Sequence, residues 1–170
     1  MKTILAALPL ALAGALLVAA PAQADDRICR GTIGARAIDG NVVVPKGASC
    51  TLLGTRVDGN VLVKGNATLV ARGAKVDGNI QADNHRRVVV TARNGSKTRV
   101  EGSVQLKQGG GGKLLRLVVD GDIQLFSNDA RFTVRGNRVD GNLQCKSTRP
   151  RPVGGNNVVE GNKEDQCRGL

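Results

Sequence analysis

After one long apolar run at its start, the chain alternates apolar and polar residues with a period near two, the pattern of strands that bury one face. In Val61-Leu62-Val63-Lys64-Gly65-Asn66-Ala67-Thr68-Leu69-Val70-Ala71-Arg72-Gly73 two short strands flank a glycine turn. Val61, Val63, Leu69 and Ala71, followed by Val76, fall on the side expected to face inward.

The alternation is itself repeated. Ile38-Asp39-Gly40-Asn41-Val42 recurs as Val57-Asp58-Gly59-Asn60-Val61, Val76-Asp77-Gly78-Asn79-Ile80, Val100-Glu101-Gly102-Ser103-Val104, Val119-Asp120-Gly121-Asp122-Ile123, Val139-Asp140-Gly141-Asn142-Leu143 and Val159-Glu160-Gly161-Asn162-Lys163. The steps between acids are 19, 19, 24, 19, 20 and 20 residues, each enough for three short strands and their corners. Stacking such units continues a parallel hydrogen-bond ladder at about 4.8 Å per coil, so seven coils make a rod about 30 Å long. The expected fold is all-β, a single-stranded parallel β-helix (β-solenoid) of about seven coils of 19–20 residues. The hexapeptide phase of left-handed acyltransferase helices is missing, which favours right-handed winding.

Composition fits this picture. Val and Leu suit a narrow core, Gly serves the corners, and Phe126 and Phe132 are the only aromatics. Asn41, Asn60, Asn79, Asn142 and Asn162 recur at one corner, where stacked amides can bond to one another and to turn backbone. We read them as a structural Asn ladder in preference to a ligand site.

The opening run changes what the rest of the chain means. Met1-Lys2-Thr3 is a short basic start, Ile4 to Ala20 is rich in Ala and Leu, and Ala22-Gln23-Ala24 is a small-x-small cleavage site. Residues 1–24 read as a signal peptide cleaved after Ala24 and residues 25–170 as one β-solenoid domain, secreted or periplasmic. No later run is apolar for long enough to span a bilayer. Loss of Lys2 leaves 24 Lys and Arg against 14 Asp and Glu, a mature net charge of +10 that favours acidic partners.

The four cysteines lie in the mature part of an exported chain, where disulfides persist. Four cysteines allow three connectivities. Cys29 and Cys50 stand 21 residues apart and Cys145 and Cys167 stand 22 apart, about one coil in each case, so Cys29–Cys50 and Cys145–Cys167 are the chosen pairs. A zinc site is the alternative, disfavoured by a single His and no Cys-x-x-Cys.

The Val-Asp-Gly-Asn-Val and Val-Glu-Gly-Ser-Val coils, over roughly residues 33 to 163, resemble those of bactofilin-type polymer-forming proteins and other short bacterial right-handed β-helices. Bactofilins are cytoskeletal scaffolds that polymerise end to end without nucleotide, so the resemblance implies a structural role and self-association. The export signal and the paired cysteines depart from that family. Disulfides that staple the terminal coils would protect open edges and favour a monomer.

Chemistry is sparse. Asp39, Asp58, Asp77, Glu101, Asp120, Asp140 and Glu160 would align along one edge, and stacked carboxylates can bind calcium or act as paired acids. Yet Arg56, Lys75, Arg99 and Arg138 stand two residues before four of these acids, on the same side of the strand, which points to a solvated ion-pair lattice. Gly109 to Gly112, between Lys107 and Lys113, reads as a flexible excursion without the helix that phosphate cradling needs. Arg149-Pro150-Arg151-Pro152 is a basic turn, and Asn66-Ala67-Thr68 and Asn94-Gly95-Ser96 read as chance sequons.

The step of 24 residues carries about five extra, and insertions in solenoids form loops on one face, often the binding face. That loop is placed at Asp83-Asn84-His85-Arg86-Arg87, with His85 on its surface. Together with Arg93 and Lys97 it makes His85, Arg86, Arg87, Arg93 and Lys97 the candidate anion-binding residues.

The expectation is therefore an exported structural or interaction protein of the envelope, not an enzyme and without a cofactor. Its rigid basic solenoid would adhere to anionic polysaccharide or another envelope polymer, or to itself. A module for one specific anion or polysaccharide is the alternative, and a polysaccharide-active enzyme the less favoured one. Nucleic acid is disfavoured by the lack of aromatic stacking surfaces, which leaves only electrostatic contacts to its backbone, and sugar binding loses its usual aromatic platform for the same reason.

Overall fold

The computed structural model describes residues 26–170; the expected leader, residues 1–24, lies outside them. The described chain is all strand and turn and winds as a parallel β-solenoid of about seven coils. Each coil gives one strand to each of three parallel sheets. Sheet 1 holds eight strands from Arg27–Ile28 to Lys163–Asp165, sheet 2 seven from Thr32–Ile33 to Val153–Gly155, and sheet 3 seven from Ala37–Ile38 to Val158–Val159.

The motif period sets the register. Val42, Val61, Ile80, Val104, Ile123 and Leu143 pair in one column of sheet 1 and are all fully buried. Val57, Val76, Val100, Val119 and Val139 repeat this in sheet 3, as do Leu52, Ala71, Val90, Leu114 and Val134 in sheet 2. Burying each Val, Leu or Ile side chain of these columns contributes roughly 1.5–3 kcal/mol. The near-constant step from coil to coil makes the inward side chains of these three columns land on other apolar side chains.

The corner from sheet 3 to sheet 1 carries the expected ladder, and it is longer than the five asparagines. Asn41 Oδ1 accepts from the backbone N–H and the side-chain amide of Asn60, at 2.8 and 3.2 Å. Asn60 Oδ1 receives the same two bonds from Asn79, at 2.9 and 3.0 Å. Asn79 Oδ1 then accepts from Ser103 N–H, Ser103 Oγ from Asp122 N–H, Asp122 Oδ1 from Asn142 and Asn142 Oδ1 from Asn162 N–H. Asp26, accepting from the Asn41 amide at 3.0 Å, closes the first end. The motif glycine is required by closeness: a Cβ on Gly78 would stand 2.7 Å from Asn60 Oδ1 and 2.8 Å from Gly59 O.

Two further polar columns point inward at the other corners. Three residues before the motif acids, Thr55, Thr98, Asn137 and Asn157 are buried, and their side chains bond to corner carbonyls such as Ile33 O, Thr91 O, Leu114 O and Val134 O. Asn128 and Thr148 do the same at the corner between sheets 1 and 2, toward Leu106 O and Leu125 O. These bonds satisfy backbone groups that a tight corner would otherwise leave buried and unpaired.

Two expectations are corrected. The stretch Asp83–Arg87 is no insertion, because Arg87–Thr91 pairs residue for residue with Thr68–Arg72. All five extra residues lie between Thr91 and Arg99, where Arg93 and Ser96 exchange backbone hydrogen bonds of 2.8 Å in a small hairpin. Asn94 and Gly95 both have positive φ, 47° and 81°, as a type I′ turn demands.

Nor is Gly109–Gly112 a flexible excursion. Gly111 and Gly112 begin the sheet 2 strand Gly111–Leu115, and a Cβ at any of the four would collide with wall atoms. Gly112 pairs with Phe132 and leaves the space its ring fills, while Gly109 leaves space against the His85 ring. The two rings meet edge to face at 6.0 Å between centroids.

The cysteines pair as chosen. Cys29–Cys50 and Cys145–Cys167 are disulfides with Cα separations of 5.5 and 5.2 Å, buried at the two ends of the stack. At the C-terminal end a turn through Cys167 folds Leu170 against the core. No helix among the described residues is long and apolar enough to cross a membrane.

Candidate anion-binding face

The three outer faces differ in charge because the repeat gives each its own residue types. On sheet 3 the arginines are neutralised, while Lys75 makes no ion pair with a described carboxylate. Arg56 bonds Asp58 of its own coil at 2.8 Å and Asp77 of the next at 2.6 Å. Arg99 reaches Asp120 at 2.6 Å, and Arg138 pairs with Asp140 at 3.4 Å and with Glu160. Asp58, Asp77, Asp120, Asp140 and Glu160 are thus engaged in an ion-pair lattice. Of the four expected i, i+2 pairs only Arg56–Asp58 and Arg138–Asp140 form, the other contacts running to the next coil, and Asp39 and Glu101 make no ion pair with a described cation. Asp58 and Asp77 raise the Arg56 pKa, the Asp58 hydrogen bond most of all, and so keep its charge fixed. No cluster of His, Cys, Asp or Glu fit to hold a metal occurs among the described residues.

Sheet 1 is mixed. Gln81 bonds Gln105 at 3.1 Å, and Gln124 bonds Gln144, which bonds Glu164, at 3.0 and 2.9 Å. Asp83, Lys107, Lys146, Lys163 and Asp165 also lie in its strands.

Sheet 2 is different in kind. Its strands contain Arg72, Arg87, Lys113 and Arg135 and no Asp or Glu. Arg72, Arg87 and Arg93 make no ion pair with any described carboxylate, and neither does Lys113. Between these cations Val70 and Val89, neighbours in register, and Leu115 remain half-exposed.

The hairpin turns this face into a cleft. It folds back over the glycine corners of the two preceding coils: Arg93 Cβ would stand only 3.1 Å from a Cβ on Gly73, and its Nη1 lies 3.9 Å from where one on Gly54 would be. The cleft between hairpin and sheet has a volume of about 570 Å³ and is lined by Arg72, Arg87, Arg93 and Lys113 around Val70, Val89 and Leu115. A second cleft of about 420 Å³ follows along the sheet, with Arg86, Arg87, Lys113 and Arg131.

Of the five candidate residues, Arg86, Arg87 and Arg93 reach this face. Arg86 is exposed and bridges coils through Thr68 Oγ1 at 3.0 Å and Ser49 Oγ at 3.2 Å. Lys97 is exposed on the hairpin but lines neither cleft. His85 is corrected: it is 2 % exposed, points inward, and neither ring nitrogen has a hydrogen-bond partner. Burial lowers its pKa against the weaker opposing influence of the Gly110 backbone, Asp129 and Asp83, so the ring is neutral and unfit to bind an anion. Arg72 and Lys113, in sheet 2 strands, and Arg131, just before the strand Phe132–Arg135, complete the face and were not among the candidates, though counting back from each motif places them there.

No protein-family model, curated protein or solved structure matches the chain.

Proposed function

We propose that this chain is an exported, non-enzymatic structural protein of the cell envelope or extracellular space, a rigid solenoid that adheres to acidic polymers through one face. The reading rests on a single observation: the cations of sheet 2 face solvent with no carboxylate among them, whereas those of sheet 3 are largely neutralised. Unpaired cations on a rigid surface attract a polyanion without reorganising, and counterion release adds to the attraction. The two buried disulfides suit an oxidising compartment. Residues 1–24 would direct export and be removed after Ala24.

The test is retention of the oxidised mature chain on an acidic polysaccharide gel and on a neutral one over a salt series. Retention on the acidic gel alone, lost as salt rises, supports the reading; equal retention on both, or none, removes it. N-terminal sequencing of the exported protein should begin at Asp25.

Self-association is the second reading, favoured by the exposed Ile28, Val153 and Val158, all on the terminal coils. It fits the bactofilin resemblance and would be seen as a mass that grows with concentration in light scattering.

A further inference from the structure

We infer that the cleft between the Arg93–Ser96 hairpin and sheet 2 is a binding site for an acidic sugar polymer, one whose carboxylates engage Arg87, Arg93 and Lys113 while its ring faces lie on Val70 and Val89. The inference rests on the adhesive reading above and narrows it to one site and one ligand class. Charge alone would accept any polyanion. What selects a glycan is the mixed floor, because a pyranose ring presents apolar C–H groups on its faces and charged or hydroxyl groups at its edge.

The cleft offers the matching arrangement, with half-exposed valines in its middle and cations around them. Polyphosphate has no apolar surface to place there, and a nucleic acid, held by its phosphates alone, would find no aromatic ring on this face to stack its bases. The strands repeat along the sheet at about 4.8 Å, so successive sugars of an extended chain can meet successive coils. The second cleft, beside Arg86 and Arg131, continues the track in that direction.

The hairpin is what makes this a site and not merely a charged wall. It is the only departure from a coil length of 19–20 residues, and it brings Arg93 over the face from the side. Its I′ turn and its seat over Gly54 and Gly73 hold it in place before any ligand arrives, which limits the ordering cost of binding.

The experiment is titration of the oxidised mature chain with polygalacturonate, with polyphosphate of matched charge as the comparison. Arg87→Glu and Lys113→Glu should each weaken polygalacturonate binding by about tenfold or more, and Lys75→Glu, an equal charge change on sheet 3, by less than about threefold. Val89→Ser should weaken polygalacturonate several-fold and leave polyphosphate unchanged. Equal losses from Lys75→Glu and Lys113→Glu would overturn the site, and tight polyphosphate binding with no effect of Val89→Ser would overturn the ligand class. If the unaltered chain binds neither polymer, the adhesive reading itself falls.

Discussion

Each motif asparagine acts chiefly through one atom, the amide oxygen that accepts from the next coil. Asn60 Oδ1 takes two bonds from Asn79, so Asn60→Ala leaves two donors without a partner and should cost about 1–3 kcal/mol in denaturant unfolding. Asn162 Oδ1 receives no bond from a further coil, and Asn162→Ala should fall within about 0.5 kcal/mol of the parent. This column was legible because its residues recur beside an invariant acid and glycine. The inward column through Thr55, Thr98, Asn137 and Asn157 was not, because Ala74 and Leu117 interrupt it and no single residue type repeats. His85 was misplaced for a related reason. Its neighbours Asp83, Asn84, Arg86 and Arg87 are all polar, and the space for its ring comes from Gly109 of the next coil. Its lowered pKa has a definite consequence for stability. The unfolded chain takes up a proton near the ordinary histidine value of about 6.5, while the folded one resists until lower pH, so stability is full above that value and falls as pH drops below it. The melting temperature should fall more steeply as pH drops below about 6.5 for the parent than for His85→Gln; parallel curves would show that His85 is not the group responsible.

At the scale of elements, the hairpin separates what spacing can fix from what it cannot. The step of 24 residues declares about five extra, but a coil has three corners and the count does not say which one holds them. Asn94-Gly95 is the signal that does, since this pair favours the type I′ turn found there. Removing residues 93–97 brings Thr91-Ala92-Thr98-Arg99 into line with Arg72-Gly73-Ala74-Lys75 and restores a 19-residue coil. Gly73 has a φ of 61° at this corner, so Ala92→Gly should accompany the deletion. The shortened protein should keep its circular dichroism spectrum and both disulfides, and should bind polygalacturonate about tenfold more weakly. Unchanged binding would assign the affinity to the sheet without the hairpin.

Across the whole molecule, the repeat made the solenoid readable, since seven near-equal coils admit few other folds. The division of charge among three faces was much less readable. Net charge is a property of the chain, whereas the cation-only character of sheet 2 emerges once each residue is assigned to a strand and a side. Arg72, Arg87 and Lys113 are far apart in sequence yet line one cleft. The disulfides act at the ends of the same stack, so reduction should raise hydrogen exchange first in the coils around Cys29 and Cys167 and leave the strands from Val61–Val63 to Ile123–Phe126 protected. The most direct test of the central claim is chemical footprinting of the oxidised mature chain, with lysine- and arginine-selective reagents and mass spectrometry, in the presence and absence of polygalacturonate. Protection of Arg72, Arg87, Arg93 and Lys113, with Lys75 on sheet 3 and Lys146 on sheet 1 still reactive, is the expected result. Protection spread equally over the three faces, or confined to sheets 1 and 3, would contradict the account.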